Sequence, residues 1–254
     1  MRRFHVVTFV DDERLYDGMV ESFSAAGFDR FTPLRDGEPF STITELGRSS
    51  DELVILCHQD VRLDQGDGAR ELAAVLDELT ERDPRWAVAG NAGGTRRLAL
   101  VRHLADPHGA DWERGLPRRV TTLDENFLVL RTAQKPRCSP ELAGFHLYGS
   151  DVCLHADQLG SSCYVVDFRL THLSAGGTAG FEAAMLAFAT HWRRRFLLRY
   201  IRTPSRLVGL SRLPLLGNLA AHPRTVLWVK IAAEHLAGMR DRCGAGRVTE
   251  RRRA

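Results

Sequence analysis

Leu53-Val54-Ile55-Leu56-Cys57-His58-Gln59-Asp60-Val61 runs five apolar residues straight into a polar triplet. The run has neither the alternation of a half-exposed strand nor the length of a helix, so it predicts a central parallel strand covered on both faces. The triplet then stands at the carboxyl end of that strand, where open α/β sheets place their ligands. Toward the amino terminus, Phe4 to Val10 is a β-branched run followed by Asp11, Asp12 and Glu13. Leu15, Met19, Val20 and Phe23 come next at helical spacing, which reads as strand then helix. Toward the carboxyl terminus, Leu72, Val75, Leu76 and Leu79 mark a helix over 69–82; Asp83-Pro84 breaks it and Trp86–Gly90 begins another strand. Phe127–Leu130 predicts a strand, Asp151–Leu159 a helix stopped by Gly160, and Cys163–Asp167 the strand after it.

This alternation argues for one α/β, Rossmann-like domain with a mostly parallel mixed sheet and helices on both faces. Residues 93–117 have weak periodicity and are expected to be loop with one short hairpin. A single long helix is expected from Phe181 to about Tyr200. Pro204, Pro214 and Pro223 divide the remainder of the chain into short pieces, with a last helix over Thr225–Met239 and an unstructured Arg251-Arg252-Arg253 end. The expected division is an α/β domain over 1–189 and a basic helical extension over 190–254.

The chain has 254 residues, of which 44% are apolar and 26% charged, the balance of a globular protein rather than a disordered or fibrous one. Its five cysteines (Cys57, Cys138, Cys153, Cys163, Cys243) are odd in number and form no CxxC pair. Neither a disulfide framework nor a thiolate zinc site is expected, and reduced thiols in the cytoplasm are. No run approaches the roughly 20 apolar residues that span a bilayer. The net charge of +3 conceals an asymmetry: residues 190–254 hold 15 Arg or Lys against 3 Asp or Glu, and residues 1–189 hold 20 against 29. Body and tail therefore call for different partners. The acidic body argues against a nucleic-acid partner.

His58 and Asp60 are two apart, so in extended geometry both side chains project to the same side. An imidazole and a carboxylate make a partial shell for Mn²⁺ or Mg²⁺; a solvated strand end is the alternative. In Gly144-Phe145-His146-Leu147-Tyr148-Gly149-Ser150-Asp151, a glycine-bearing aromatic loop delivers an aspartate at a helix start, suited either to capping or to general-base work. Thr171-His172-Leu173-Ser174-Ala175-Gly176-Gly177 is a polar segment directly after a predicted strand, open to close approach by a ligand.

Leu56-Cys57-His58-Gln59-Asp60-Val61, Thr122-Leu123-Asp124-Glu125-Asn126-Phe127, Phe145-His146-Leu147-Tyr148-Gly149-Ser150-Asp151 and Thr171-His172-Leu173-Ser174 together resemble the glycosyltransferase family-2-like group typified by the streptomycin-biosynthesis StrF-type domain, over about residues 4–180. The resemblance implies a GT-A fold and an inverting glycosyltransferase that uses a nucleotide-diphosphate sugar and a divalent metal. His58, Asp60 and His172 would be the metal ligands and Asp151 the catalytic base. Asp11, Asp12 and Asp36, with Asp60, would lie in the nucleotide pocket. The first carboxylate of the superfamily's Asp-x-Asp motif is His58 here. The acceptor, whether a glycan, a lipid-linked molecule or a small molecule, has no signature. A non-catalytic module that binds a nucleotide or a glycan is the competing reading.

For the tail, a helix pair that packs back on the domain is the first reading. Apolar residues set among arginines, as in Phe196-Leu197-Leu198-Arg199-Tyr200-Ile201-Arg202, make an anionic membrane surface, met peripherally at the inner face of the membrane, the alternative.

Overall fold

The computed structural model describes residues 2–174, 176–177, 179–233 and 235. In chain order its elements are β1 (Phe4–Phe9), α1 (Glu13–Ala25), β2 (Phe31–Leu34), α2 (Pro39–Leu46), β3 (Leu53–His58), β4 (Val61–Arg62), α3 (Ala69–Arg82), β5 (Trp86–Gly90), β6 (Ala92–Gly94), β7 (Leu100–Asp106), β8 (Gly109–Trp112), β9 (Arg118–Val120) and β10 (Phe127–Arg131). After a short 3₁₀ turn (Thr132–Gln134) come α4 (Tyr148–Gln158), β11 (Ser162–Val165), β12 (Thr171–His172), α5 (Phe181–Arg193), β13 (Arg199–Arg202), β14 (Leu207–Leu210) and α6 (Pro214–Ala221). The chain is helical again over 223–233.

The main sheet has seven strands in the order β2-β1-β3-β10-β5-β11-β9. β1 pairs in parallel with β2 and β3, and β11 with β5, while β10 and β9 run the other way. The sheet is thus mixed and mostly parallel, as expected. β3 lies between β1 and β10, and its alternate residues serve two cores. Val54 and Leu56 pack with α2, α4 and α5 through Ile43, Val152 and Phe188. Leu53, Ile55 and Cys57 pack with α1 and α3 through Met19, Phe23, Leu72 and Leu76. A strand buried on both faces needs no polar alternation, which accounts for the unbroken apolar run. Truncating one of these side chains, Ile55→Ala for example, is expected to cost about 2–5 kcal/mol, read from the denaturant midpoint; a loss below about 1 kcal/mol would place Ile55 outside the core.

Two expectations are corrected. Residues 93–117 are not a loop with one short hairpin. β6, β7 and β8 form a second sheet with β4 and β12, in the order β4-β12-β7-β6 with β8 beside β7. β8 is exposed at all four residues, so it carries no hydrophobic signal. The helix expected through Tyr200 ends at Arg193, and β13 and β14 form a hairpin in its place. The division at 189/190 falls inside α5, whose Trp192 is fully buried with Ile201, Val208 and Leu210 in the main core. Of the helix expected over 225–239, residues beyond 235 lie outside the described residues, as does the Arg251-Arg252-Arg253 end.

Candidate functional site

β1, β2, β3, β5 and β11 share one direction, so their carboxyl ends form one edge, and β10, which runs the other way, begins at that edge. Asp11 and Asp12 follow β1, Asp36 follows β2, His58 and Asp60 end β3, and Asp124 and Glu125 precede β10. Short β12 pairs antiparallel with β4, setting His172 opposite Val61. This brings His172 to the end of β3.

His58, Asp60 and His172 converge, each offering a ligand atom, with all three atoms within 4.8 Å of one another. Among the described residues this is the only such group. His172 Nε2 lies 3.3 Å from Asp60 Oδ1, yet it is buried and poorly aligned for a hydrogen bond. That nitrogen therefore faces Asp60 across the cluster without a well-formed hydrogen bond, an arrangement that a bound cation would complete. His58 Nε2 lies 3.1 Å from the Tyr148 hydroxyl. Burial opposes the charge on Asp60, but the His172 imidazole, Ser174 and His58 hold its carboxyl well below the usual range. Burial lowers His58, reinforced by the neighbouring His172. Burial also opposes the proton on His172, and the Asp60 carboxylate outweighs it, raising that imidazole above its ordinary value. Two imidazoles and one carboxylate form a donor set suited to a transition-metal ion, Mn²⁺ included, more than to Mg²⁺, which prefers all-oxygen shells.

The remaining predicted residues divide. Asp12 caps α1, accepting from the backbone N–H groups of Arg14 and Leu15, so its carboxylate is committed to the helix. Gln59 ties the ends of β1 and β3 together: its side-chain oxygen accepts from the N–H groups of Asp11 and Asp12, and its amide donates to the Asp11 carboxylate. Asp36 is exposed in the bend between β2 and α2.

Asp151 is not drawn into this group. It sits inside α4 rather than at its cap, which is Leu147, and it is fully buried. Its carboxylate accepts from the Ser139 N–H at 2.6 Å, the Ser139 hydroxyl at 2.9 Å and the Trp192 indole N–H at 2.7 Å. With three donors and no exposed surface, Asp151 ties α4 to the segment at Ser139 and to α5. Because an ionised carboxylate only accepts, the Ser139 hydroxyl donates to Asp151, and His155 and His191 each donate from Nε2 to that hydroxyl at 2.9 and 3.0 Å. Asp151→Asn is expected to lose about 1.5–3 kcal/mol of stability, the worth of hydrogen bonds to a buried charge, with Mn²⁺ affinity unchanged. A variant as stable as the parent but inactive in sugar transfer would restore Asp151 to the base position.

The sequence reading missed Glu125. Its carboxylate accepts from Gly149 N–H at 3.2 Å, capping the first turn of α4 from a different segment, since Leu147 gives no side-chain cap. Burial, with Asp124 beside it, pushes this carboxyl up to about 8. The approach depends on Gly149, where a Cβ would lie 2.7 Å from the Leu123 carbonyl oxygen. Leu147 is held at φ 70°, a left-handed conformation that disfavours a leucine by roughly 1–2 kcal/mol. That turn sets Tyr148 against His58. The same segment touches His58 through backbone, since the His58 N–H donates to the Asn126 carbonyl at 2.9 Å. The acidic pair directly ahead of the β10 run was the available signal.

No family model matches the chain. Among solved structures, GalNAc-T7 with UDP, GalNAc and Mn²⁺ is similar over 68% of this chain and 44% of that one, with 9% identity and a TM-score of 0.47. A197 from STIV covers 65% of this chain and 81% of its own at 12% identity and a TM-score of 0.39. CMP:2-keto-3-deoxy-manno-octonic acid synthetase complexed with CTP covers 74% and 99% at 13% identity and a TM-score of 0.33. These likenesses concern general architecture and transfer no function. In sequence, the chain is 36% identical over 226 residues to the protein named ATP synthase subunits region ORF 6 of Fuscovulum blasticum, covering 82% of this chain and 90% of that one. At that identity over most of both lengths, the chain belongs to the family of the Fuscovulum blasticum ORF 6 protein.

Proposed function

We propose that this protein is an inverting glycosyltransferase that moves a sugar from a nucleotide-diphosphate donor, with divalent-metal assistance. The observation that carries this is the convergence of His58, Asp60 and His172 at the carboxyl edge of the sheet, with His172 Nε2 buried and 3.3 Å from Asp60 Oδ1 but outside hydrogen-bond geometry. A metal held there would supply Lewis-acid neutralisation of a leaving diphosphate. The protein's own residues do the rest. Gln59 fixes the β1 and β3 ends as one wall of the nucleotide pocket, with Asp11 and Asp36 exposed along it. Phe145, 56% exposed and edge-on to Phe9 at 5.3 Å, offers an apolar face at the mouth for a base or sugar ring.

Glu125 takes the proton of the acceptor hydroxyl. A carboxyl poised near neutrality combines enough ionised form with enough basicity, whereas an ordinary carboxylate is a weak base. Burial raises the Glu125 carboxyl to about 8 and Glu125 lies in the segment that backs His58; Asp151, the residue that the family resemblance implies, is buried among three donors. In-line displacement at the anomeric carbon then needs no covalent enzyme intermediate, in parallel with inverting glycosidases. Calorimetric titration of UDP and GDP with Mn²⁺, followed by a donor-hydrolysis assay, tests the reading. Binding without turnover of any donor would leave a nucleotide-binding module.

A further inference from the structure

Of the fourteen large apolar side chains left exposed among the described residues, ten lie beyond residue 185. The concentration has a structural cause. α6 packs on β14 with its small residues: Ala220 is buried, and Gly209 of β14 approaches so closely that a Cβ there would lie 2.4 Å from the Ala220 carbonyl oxygen. Leu215, Leu216 and Leu219 are thereby turned outward, and Leu215 is 85% exposed. The helical stretch over 223–233 repeats the arrangement with Leu227, Trp228 and Ile231 at the same spacing, and Trp228 is 72% exposed. A helix of a globular domain ordinarily shows the reverse, apolar stripe inward and polar face outward. The Arg212 N–H donates to the Phe196 carbonyl and the Ser211 hydroxyl donates to the Leu197 carbonyl, so exposed Leu197 and Leu198 join Leu213 at the start of α6. The 197–198 turn thereby extends the outward apolar face at the start of α6.

Its charge is predominantly basic, with Arg199 paired to Asp157 and Arg206 to Glu182. Residues 183–233 contain nine Arg or Lys and no Asp or Glu. Arg193, Arg194, Arg212 and Arg224 are exposed beside the leucines. An apolar stripe with basic flanks complements an anionic lipid surface, where side chains such as Leu and Trp enter the acyl boundary and Arg meets the headgroups. A second copy of the chain would have to place these like charges against each other. No helix among the described residues is long and apolar enough to cross a membrane.

We propose that α6 and the 223–233 helix, with the 196–198 turn, dock this protein peripherally on an anionic bilayer surface by inserting Leu215, Leu216, Leu219, Leu227, Trp228 and Ile231. The proposal does not rest on the sugar-transfer reading.

Sedimentation of the full chain with vesicles of phosphatidylglycerol and phosphatidylcholine, against phosphatidylcholine alone, tests it at low and high salt. Binding to the anionic vesicles at low salt is expected, weakening as salt rises. Leu215→Glu/Trp228→Glu should lower the bound fraction at least about tenfold, with circular dichroism and nucleotide binding unchanged because both side chains face solvent. Arg193→Glu/Arg194→Glu should reduce the salt-sensitive part. Failure of the folded full chain to bind anionic vesicles at low salt overturns the proposal, as does equal binding to phosphatidylcholine alone. A dimer by light scattering that Leu215→Glu/Trp228→Glu converts to monomer, without vesicle binding, assigns the surface to a second copy instead.

Discussion

Asp60→Ala lowers Mn²⁺ affinity by at least about 100-fold and removes metal-dependent binding of a nucleoside diphosphate. Asp60 supplies the one carboxylate of the three-residue group, and that carboxylate is held ionised by the imidazoles around it despite its burial. Removing it leaves two imidazoles facing a hard or borderline cation with no charge to offset its desolvation, a larger loss than the roughly 10–100-fold caused by removing an outer-sphere partner. His58→Ala should weaken binding less, because His58 Nε2 is shared with the Tyr148 hydroxyl. Calorimetric titration of Mn²⁺ and of Mg²⁺ into parent and variants reads both effects, with Mn²⁺ expected to bind the parent more tightly. Unchanged Mn²⁺ affinity in Asp60→Ala would rule out a metal at this group.

Glu125→Gln lowers turnover by about 10²–10⁴-fold, the range for loss of a general base, while donor binding stays near that of the parent. The amide keeps an oxygen to accept the Gly149 N–H, so the α4 cap survives while the proton acceptor is lost. A purely structural role would not produce that split. In the parent, the pH–rate profile should climb through an apparent pKa near 8, and that limb should be missing from the residual rate of the variant. Stability gives a second readout. The Glu125 carboxyl is raised from its ordinary 4.5 to about 8, so between those values the folded chain holds a proton that the unfolded chain releases. Its contribution to stability therefore falls as pH rises through that window. Glutamine, which mimics the protonated form, escapes the loss, and above about pH 8 the variant should be at least as stable as the parent. Full activity in Glu125→Gln, or a collapse of its stability at neutral pH, would return Glu125 to the role of helix cap.

The central layers of the fold were legible because burial on both faces writes itself as continuous apolar sequence, as in β3 and β10. The second sheet was not, since β8 is exposed and β6 is three residues of Ala and Gly. Leu197, Leu198 and Ile201 at helical spacing concealed the β13–β14 hairpin, whose turn contains Pro204. In the site, His58 and Asp60 could be paired from their spacing in a strand. His172 could be joined to them only through family resemblance, because β12 is two residues long and its pairing with β4 is non-local. The burial of Asp151 among three donors was not legible, because a place near a helix start describes a cap as well as it describes a buried anchor. Glu125 acquires its meaning from the packing of α4 at Gly149, which no local pattern encodes.

Metal-assisted nucleotide binding is decided by calorimetric titration of the full chain with UDP and GDP in the presence and absence of Mn²⁺. Saturable binding of at least one of them is expected, requiring Mn²⁺ in the parent and disappearing in Asp60→Ala. No binding of either nucleotide, or binding that is indifferent both to Mn²⁺ and to the loss of Asp60, would refute it.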